Sequence, residues 1–296
     1  MVSVSKTTKI VTNAIMIFLC LCCVLPFVLL VSSSLTSDAA LMKDGYSFVP
    51  TEFSLGAYEY LFGAKETILR AYGMTIAVTA VGTVVNVILT MLIAYPLSRR
   101  DFPGRNVLAF FVFFTMLFSG GMVPSYIIWT QVFHIKDTFM AQVLPGYLCG
   151  AFNIIMMRTY FTTNIPGEIV DAARIDGASE LGILTRIVIP LSKPIVSTIA
   201  LMVGLVYWND WLNGLYYISG NTKLYTIQNV LNTMVTNAQF LATNANAGQL
   251  LSSGMKIPTV GIRMAVAVVA VIPILVIYPL FQKSFVKGIV IGGVKG

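Results

Sequence analysis

Long, largely apolar runs alternate with short polar segments along the whole chain. A bilayer core is about 30 Å thick, so a helix that rises 1.5 Å per residue crosses it in about 20 residues. The first run is longer than the apolar region of a signal peptide, and we interpret it as a retained helix. The pattern predicts an all-α polytopic membrane protein with six transmembrane helices, at residues 10–31, 71–97, 106–129, 139–160, 194–217 and 262–281.

Composition supports the membrane class. Apolar residues make up 57% of the 296 residues and charged residues 10%, and the mean hydropathy of +0.83 exceeds what a soluble domain needs. The net charge of +7 does not indicate nucleic-acid binding, because the basic residues form short clusters beside apolar runs. With six helices, the side of the membrane that carries both termini has 12 of the 19 basic residues but only 5 of the 12 acidic ones. The positive-inside rule then places both termini in the cytoplasm of a bacterial cell membrane.

The predicted membrane segments offer little reactive chemistry. The helix interiors are interpreted as uncharged, which argues against a proton relay or an ion-coupled carrier. His134 lies on an outer turn and has no metal-ligand spacing with any cysteine. We therefore expect neither a zinc site nor a disulfide framework from Cys20, Cys22, Cys23 and Cys149.

One break is predicted inside a membrane helix. Gly120, Gly121 and Pro124 interrupt the apolar run at residues 106–129. Backbone groups freed by such a break must be satisfied by protein or water, because lipid offers no hydrogen bonds. This part of the helix is therefore expected to face the protein interior.

A polar island at residues 166–190 separates two of the apolar runs. Glu168 and Asp171 fall in the first turn of a predicted helix, where acidic groups complement the helix dipole. Asp171 and Arg174 are three residues apart and pair across one turn. Gly177 permits a left-handed residue and a change of direction. The sequence predicts a short helix outside the lipid, followed by a turn.

The island resembles the cytoplasmic signature of permeases in binding-protein-dependent ABC importers, which reads E-A-A, three residues, G, nine residues, I-x-L-P. Here Asp replaces the first Glu, and Ile replaces the Leu of the last element, which reads Ile187-Val188-Ile189-Pro190. The resemblance implies a type I ABC importer permease fold whose coupling helix, at about residues 166–180, docks in a cleft of the ATPase subunit. The implied coupling residues are Glu168, Asp171, Ala172, Ala173, Arg174, Asp176, Gly177, Ala178 and Pro190.

The flanking segments extend the resemblance over residues 71–296. The stretch 94–105, the Trp208-Asn209 pair and the ending GGVKG are similar to MalG-type permeases of the carbohydrate-uptake class, and within it to the LplC/YtcP-like group. This implies an N-terminal helix with an extracytoplasmic segment (1–70), a permease core (71–281) and a cytoplasmic tail (282–296). It also implies that an outer loop at residues 235–255 reaches the sugar-binding protein. Tail residues implied to contact the ATPase are Lys287, Gly292, Gly293 and Lys295.

Several polar and aromatic residues fall within or beside the predicted membrane helices. Sugars bind aromatic faces and amides, so these side chains are candidates for lining a pathway. Two alternatives stay open: polar groups also join helices to one another, and Trp and Tyr also anchor helix ends at the membrane interface. The candidates are Asn86, Tyr95, Tyr126, Asn153, Trp208, Asn209 and Trp211.

The resemblance implies a permease subunit of an oligosaccharide importer that forms half of the translocation pathway. The chain has no phosphate-binding loop of the G-x4-G-K-S/T type, so ATP and Mg are expected in a separate ATPase pair, and no catalysis or cofactor is expected in this chain. The alternative is an ATP-independent carrier or channel for a small polar solute. A membrane-embedded enzyme would need a convergent catalytic cluster, and none is found in the sequence. Expected partners are a second homologous permease, an ABC ATPase dimer, an extracytoplasmic sugar-binding protein, the oligosaccharide and the lipid bilayer, but no nucleic acid.

Overall fold

The computed structural model describes residues 5–243, 260–273 and 275. Within these residues the secondary structure is helical, and the β-pairing is limited to an isolated bridge between Thr36 and Phe53. The all-α prediction is therefore confirmed for the described part of the chain.

Two long helices dominate the N-terminal part. Both are long and apolar enough to cross a membrane, as predicted for these two runs. Between them, the segment that was predicted only as polar contains two short helices. The first of these is capped at its N-terminus by Ser37, whose hydroxyl accepts a hydrogen bond from the Ala40 amide. These four helices are α1 (Lys6–Ser34), α2 (Asp38–Asp44), α3 (Gly56–Gly63) and α4 (Lys65–Ser98).

Shorter helices follow; two of them continue directly into a π-helical turn, and a separate 3-10 turn follows a third after a short connection. They are α5 (Arg105–Leu117), α6 (Met122–Ile127, then π-helix Ile128–Val132), α7 (Met140–Val143), α8 (Ala151–Asn164), α9 (Gly167–Ile175), α10 (Glu180–Ile183, then π-helix Leu184–Val188), α11 (Ile189–Leu191), α12 (Lys193–Trp208), α13 (Leu212–Tyr217, then 3-10 helix Thr222–Leu224), α14 (Ile227–Thr243) and α15 (Val260–Pro273).

Two pairs of helices are sharply bent. The break predicted at the Gly-Gly pair is confirmed: α5 and the helix from Met122 to Val132 meet at 113°, and Gly121 has a φ of +83°. The helix from Glu180 to Leu191 meets α12 at 84°. If each bent pair counts as one span, up to four spans lie within the described residues, so the predicted number of six is not confirmed.

The predicted continuous helix at residues 139–160 is wrong. Helix α7 ends at Val143 and α8 begins at Ala151, with Pro145 and Gly146 between them. Gly146 adopts a φ of +77°, which an α-helix does not allow. Hydropathy did not reveal this break, because the connecting residues are themselves mostly apolar.

The predicted helix at residues 194–217 is also broken, between Trp208 and Leu212. Asp210 lies in this break and is only 5% exposed. Its carboxylate accepts hydrogen bonds from the Tyr147 hydroxyl and the Leu212 amide, both at 3.0 Å. The expectation that the helix interiors carry no charged residue type is therefore wrong at Asp210.

The described residues divide into two compact units. Residues 5–68, 230–243 and 260–273 belong to one unit, where Leu61 of α3 packs with Ala265 and Val266 of α15. Helix α14, which supplies residues 230–243, was not predicted, since its sequence lies between the helices predicted at residues 194–217 and 262–281.

Residues 69–229 belong to the other unit, which contains the polar island. Its apolar core combines α4, α8, α9 and α12, through side chains such as Met157, Val170 and Ile199. Helices α4 and α12 approach closely where Gly82 faces the ring of Tyr207: a Cβ at Gly82 would lie within 2.7 Å of three ring carbons. The Tyr207 hydroxyl donates a hydrogen bond to the Val143 carbonyl at 2.9 Å.

Candidate functional site

The polar island folds as two helices, α9 and α10, joined by a tight turn. After α9, the Ala178 amide donates to the Ala173 carbonyl at 2.9 Å and the Gly177 amide to the Arg174 carbonyl at 3.0 Å. This pair of hydrogen bonds is the Schellman motif, which needs a left-handed residue, and Gly177 has a φ of +81°. The predicted short helix and turn at Gly177 are confirmed.

The start of α10 is fixed by a second cap. The Ser179 hydroxyl accepts a hydrogen bond from the Gly182 amide at 3.2 Å, and Glu180 occupies the first turn. Because the two caps are only a few residues apart, the connection between α9 and α10 has little conformational freedom.

Helix α9 has two distinct faces. Val170 is fully buried and packs into the core together with Ala173. On the other side, Ile169 is 43% exposed, Ile175 is 86% exposed, and Ala172 lies between them, also exposed. The spacing i, i+3, i+6 places these three on one side of the helix. We call this surface, Ile169, Ala172 and Ile175, the α9 outer face. Exposed acidic residues of the same segment are Glu168, Asp171 and Asp176.

Arg174 leaves α9 on the inner side and joins three segments of the chain. Its guanidinium lies 2.6 Å from the Asp101 carboxylate, in the connection after α4, and 2.8 Å from the Glu180 carboxylate. The predicted pair with Asp171 is present but longer, at 3.9 Å.

Glu180 also contacts α4 directly. Its second carboxylate oxygen accepts a hydrogen bond from the Tyr95 hydroxyl at 2.7 Å. The Arg99 guanidinium lies 5.7 Å from the centroid of the Tyr95 ring, within the range of a cation–π contact. The chain of contacts from Asp101 through Arg174 and Glu180 to Tyr95 therefore ties the α9–α10 turn to the end of the longest helix.

Charge complementarity stabilises this network. The hydrogen bond from Arg174 lowers the pKa of Asp101. The Tyr95 hydroxyl, followed by Arg174, lowers the pKa of Glu180. Hydrogen bonds to Asp101 and Glu180 raise the pKa of Arg174, which therefore stays charged. The two carboxylates remain accessible to solvent, so each pair contributes at most about 1 kcal/mol.

A cavity of about 470 Å³ lies beside α9. Its walls come from the end of α4 and the residues after it, including Arg99 and Arg100, from the end of α8, including Thr162, and from α9, including Glu168 and Asp171. Both charge signs line it. It gives the segment a concave, polar surface next to the apolar α9 outer face.

The residues that the resemblance implies for coupling differ in their exposure and in their position along the chain. Ala173 and Arg174 face the protein, whereas Gly177 and Ala178 are exposed in the turn. Pro190 is exposed in α11, well beyond that turn. The candidate tail contacts Lys287, Gly292, Gly293 and Lys295, and the outer stretch from residue 244 to 255, lie outside the described residues.

Three of the pathway candidates are buried and packed. The Asn86 amide donates to the Tyr147 carbonyl and its oxygen accepts from Thr90. The Tyr95 hydroxyl donates its hydrogen bond to Glu180, and Trp208 is buried at the end of α12.

The other pathway candidates are more accessible. Tyr126 stacks on Tyr217 with 5.7 Å between ring centroids, and Asn153 is partly exposed on α8. Asn209 and Trp211 are both exposed, on either side of buried Asp210.

Sequence reasoning missed Asp101, Ile175 and the buried carboxylate of Asp210. A signal for Asp210 was present, because a carboxylate inside an apolar run is unusual. Ile175 also carried a signal, because it lies six residues after Ile169 in a mostly polar island, a spacing that places both isoleucines on one side of a helix. Asp101 carried none, because its contact with Arg174 depends on the tertiary fold.

Comparison with known proteins identifies related chains. The family described as binding-protein-dependent transport system inner membrane component matches residues 86–291. The chain is 40% identical to Protein LplC of Bacillus subtilis (strain 168) over 273 residues, 92% of this chain and 90% of LplC. It is 39% identical to the polygalacturonan/rhamnogalacturonan transport system permease protein YtcP of the same organism, over 93% of this chain and 94% of YtcP.

A solved structure has a similar fold. It is a chain of a bacterial ABC transporter involved in the import of the acidic polysaccharide alginate. The TM-score is 0.78 at 31% sequence identity, and the match covers 95% of this chain and 99% of that one. The fold of the two chains is therefore shared over nearly their full length.

Proposed function

The chain belongs to the family of binding-protein-dependent transport system inner membrane components, and from that membership we propose that it is a permease subunit of an ABC importer for an oligosaccharide. The observation that carries the proposal is the α9–α10 turn, where a signature of this family coincides with a rigid, exposed helix. An ATP-independent carrier is not favoured, because relatives such as YtcP are permease proteins of transport systems.

The α9 outer face is the surface that docks in the ATPase. Ile175 is 86% exposed, and a large apolar side chain on a polar segment outside the lipid indicates a protein contact. Exposed acidic residues surround it, so basic groups on the partner would complement the charge. ATP and Mg are bound by that partner, and this chain carries no cofactor.

Movement of the docked helix passes to the membrane through the contacts behind it. Val170 and Ala173 pack α9 into the core, and the Arg174–Glu180–Tyr95 contacts link it to α4. When ATP closes the ATPase dimer, α9 moves with the ATPase, and the packed helices of the subunit move as a group. This couples ATP binding to alternating access.

The remaining parts of the proposal concern assembly and topology. A second, homologous permease completes the pathway, and an extracytoplasmic binding protein delivers the sugar. The chain crosses the bacterial cell membrane six times with both termini in the cytoplasm, as the charge distribution indicates. The substrate is an oligosaccharide, since a relative is named for polygalacturonan and rhamnogalacturonan and a structural neighbour for alginate.

Affinity purification from the native membrane in mild detergent tests this function. We expect a second permease and an ATPase to copurify, and ATP hydrolysis to increase when a sugar-loaded binding protein is added. The substitution Ile175→Glu should release the ATPase but retain the second permease. Thr163→Ala, at an exposed position on the neighbouring helix, should release neither. Purification of the chain alone, with solute transport that needs no ATP, would contradict the proposal.

A further inference from the structure

The break between α12 and α13 presents polar groups on the surface of an apolar bundle. Asn209 and Trp211 are exposed, with Trp211 at 38%, whereas Asp210 between them is buried. Their surroundings are apolar, since Leu205, Val206 and Leu212 are exposed beside them. Irregular backbone at membrane depth is tolerated only where it is covered by protein or lines a water-filled cavity.

Two buried side chains hold this break in one conformation. Asp210 accepts hydrogen bonds from the Tyr147 hydroxyl and from the first amides of α13. Asn229, in α14, donates to the Trp211 carbonyl at 2.6 Å and accepts from the Thr226 hydroxyl at 2.7 Å. Asn209 and Trp211 are therefore displayed on a preorganised backbone.

Gln228 brings a third side chain to the same place. It precedes the buried Asn229 in the first turn of α14 and is partly exposed. Its amide nitrogen lies 3.5 Å from the Asn209 side-chain oxygen, at the outer limit of a hydrogen bond. The Asn209 amide nitrogen donates to the Leu205 carbonyl, which uses one of its two hydrogens. Both amides therefore retain donors and acceptors for a ligand.

We propose that Asn209, Trp211 and Gln228 form a saccharide subsite on the translocation pathway. The inference rests on the proposed function and names residues that contact its substrate. Each amide both donates to and accepts from sugar hydroxyls, and an indole provides a flat apolar surface for the C–H face of a sugar ring. None of the three side chains is ionised, so the subsite binds hydroxyls and ring faces rather than the carboxylates of acidic sugars.

Other occupants of this surface are less compatible with it. Acyl chains cannot satisfy the exposed amides, which disfavours a lipid-facing position. A contact with the second permease would also satisfy them, and in that case the variants would lose the second permease. A sugar in a water-filled cavity is compatible with both features of the surface. Its hydroxyls hydrogen-bond to the exposed amides, and the water of the cavity reaches the irregular backbone.

The test uses the complete importer in proteoliposomes, with labelled trigalacturonate and raffinose as probes. Sugar uptake and ATP hydrolysis are measured for Gln228→Ala, Asn209→Ser and Trp211→Leu. Gln228→Ala is the most informative variant, because within the described residues the Gln228 side chain hydrogen-bonds to Asn209 alone, so its removal disturbs little else. Asn221→Ala, an exposed amide of the same unit, is the matched control.

We expect sugar imported per ATP hydrolysed to fall about fivefold for each amide variant, as for the loss of one hydrogen bond, and more for Trp211→Leu. ATP hydrolysis stimulated by the binding protein, the amount of assembled complex and the Asn221→Ala control should be unchanged. Unaltered import in all three variants would overturn the subsite. Loss of the second permease from the variants would also overturn it and identify a subunit contact instead. If the unaltered importer takes up neither probe, the saccharide assignment of the proposed function fails, which is a separate result.

Discussion

Replacing Gly82 by alanine tests the packing that lets α4 and α12 move together. The added Cβ would lie within 2.7 Å of three carbons of the Tyr207 ring, well inside van der Waals contact. Tyr207 is fully buried and its hydroxyl is hydrogen-bonded to the Val143 carbonyl, so the ring cannot turn aside without breaking that bond. The two helices must therefore separate or the ring must leave its site.

The expected cost follows from these contacts. Overpacking of a buried site costs about 1–3 kcal/mol. Displacement of the ring also breaks the hydrogen bond to Val143, which contributes about 1 kcal/mol. The sum, about 2–4 kcal/mol, corresponds to a fall in the apparent Tm of about 4–16 °C for a unit of this size.

The assay is thermal unfolding of the detergent-purified complex. Gly73→Ala is the matched control on the same helix, because its Cβ would meet nothing within 4 Å. That variant should keep or raise the Tm, since alanine favours a helix more than glycine does. Adding Tyr207→Leu to Gly82→Ala should cost less than the sum of the two single variants, because the clash is removed. A Tm for Gly82→Ala equal to that of Gly73→Ala would refute the close approach of the helices.

Three further predictions concern the α9–α10 turn. Gly177→Val forces a β-branched residue to a φ of +81°, so transport should fall by a larger factor than ATP hydrolysis, measured together in proteoliposomes. Arg174→Gln removes the common partner of Asp101 and Glu180 and should lower sugar import per ATP, whereas Thr163→Ala should not. The pKa of Asp101 is lowered by Arg174, so their contact stabilises the protein above the ordinary carboxyl pKa and is lost as pH falls through the lowered value. At neutral pH, Asp101→Asn should therefore lower the Tm by an amount equivalent to about 1 kcal/mol or less, and this difference should shrink as the pH falls below the ordinary carboxyl pKa.

The features predicted successfully depend on local sequence. The length of the apolar run predicted α4, and the Gly-Gly pair predicted the break before α6. Gly177 predicted the end of α9, because a left-handed turn strongly favours glycine. The predicted number of six membrane spans stays unconfirmed, since hydropathy measures apolar content and not the continuity of a helix.

The missed features depend on contacts between distant residues. The sequence offered Asp171 as the partner of Arg174, but the fold adds shorter contacts with Asp101 and Glu180. At the break, Asp210 accepts a hydrogen bond from Tyr147, which lies in another connection. Neither set of contacts has a periodic signature, so the sequence pattern could not show the partners, although Asp210 itself stood out as a carboxylate in an apolar run.

Transport by purified components shows whether this chain works as a subunit of an ATP-driven importer. The chain, its copurifying permease and the ATPase are reconstituted in proteoliposomes with ATP inside and a sugar-loaded binding protein outside. We expect accumulation of labelled oligosaccharide that needs ATP, the binding protein and this chain together, and that is lost with Ile175→Glu. Accumulation that continues without ATP, or without this chain, would contradict it.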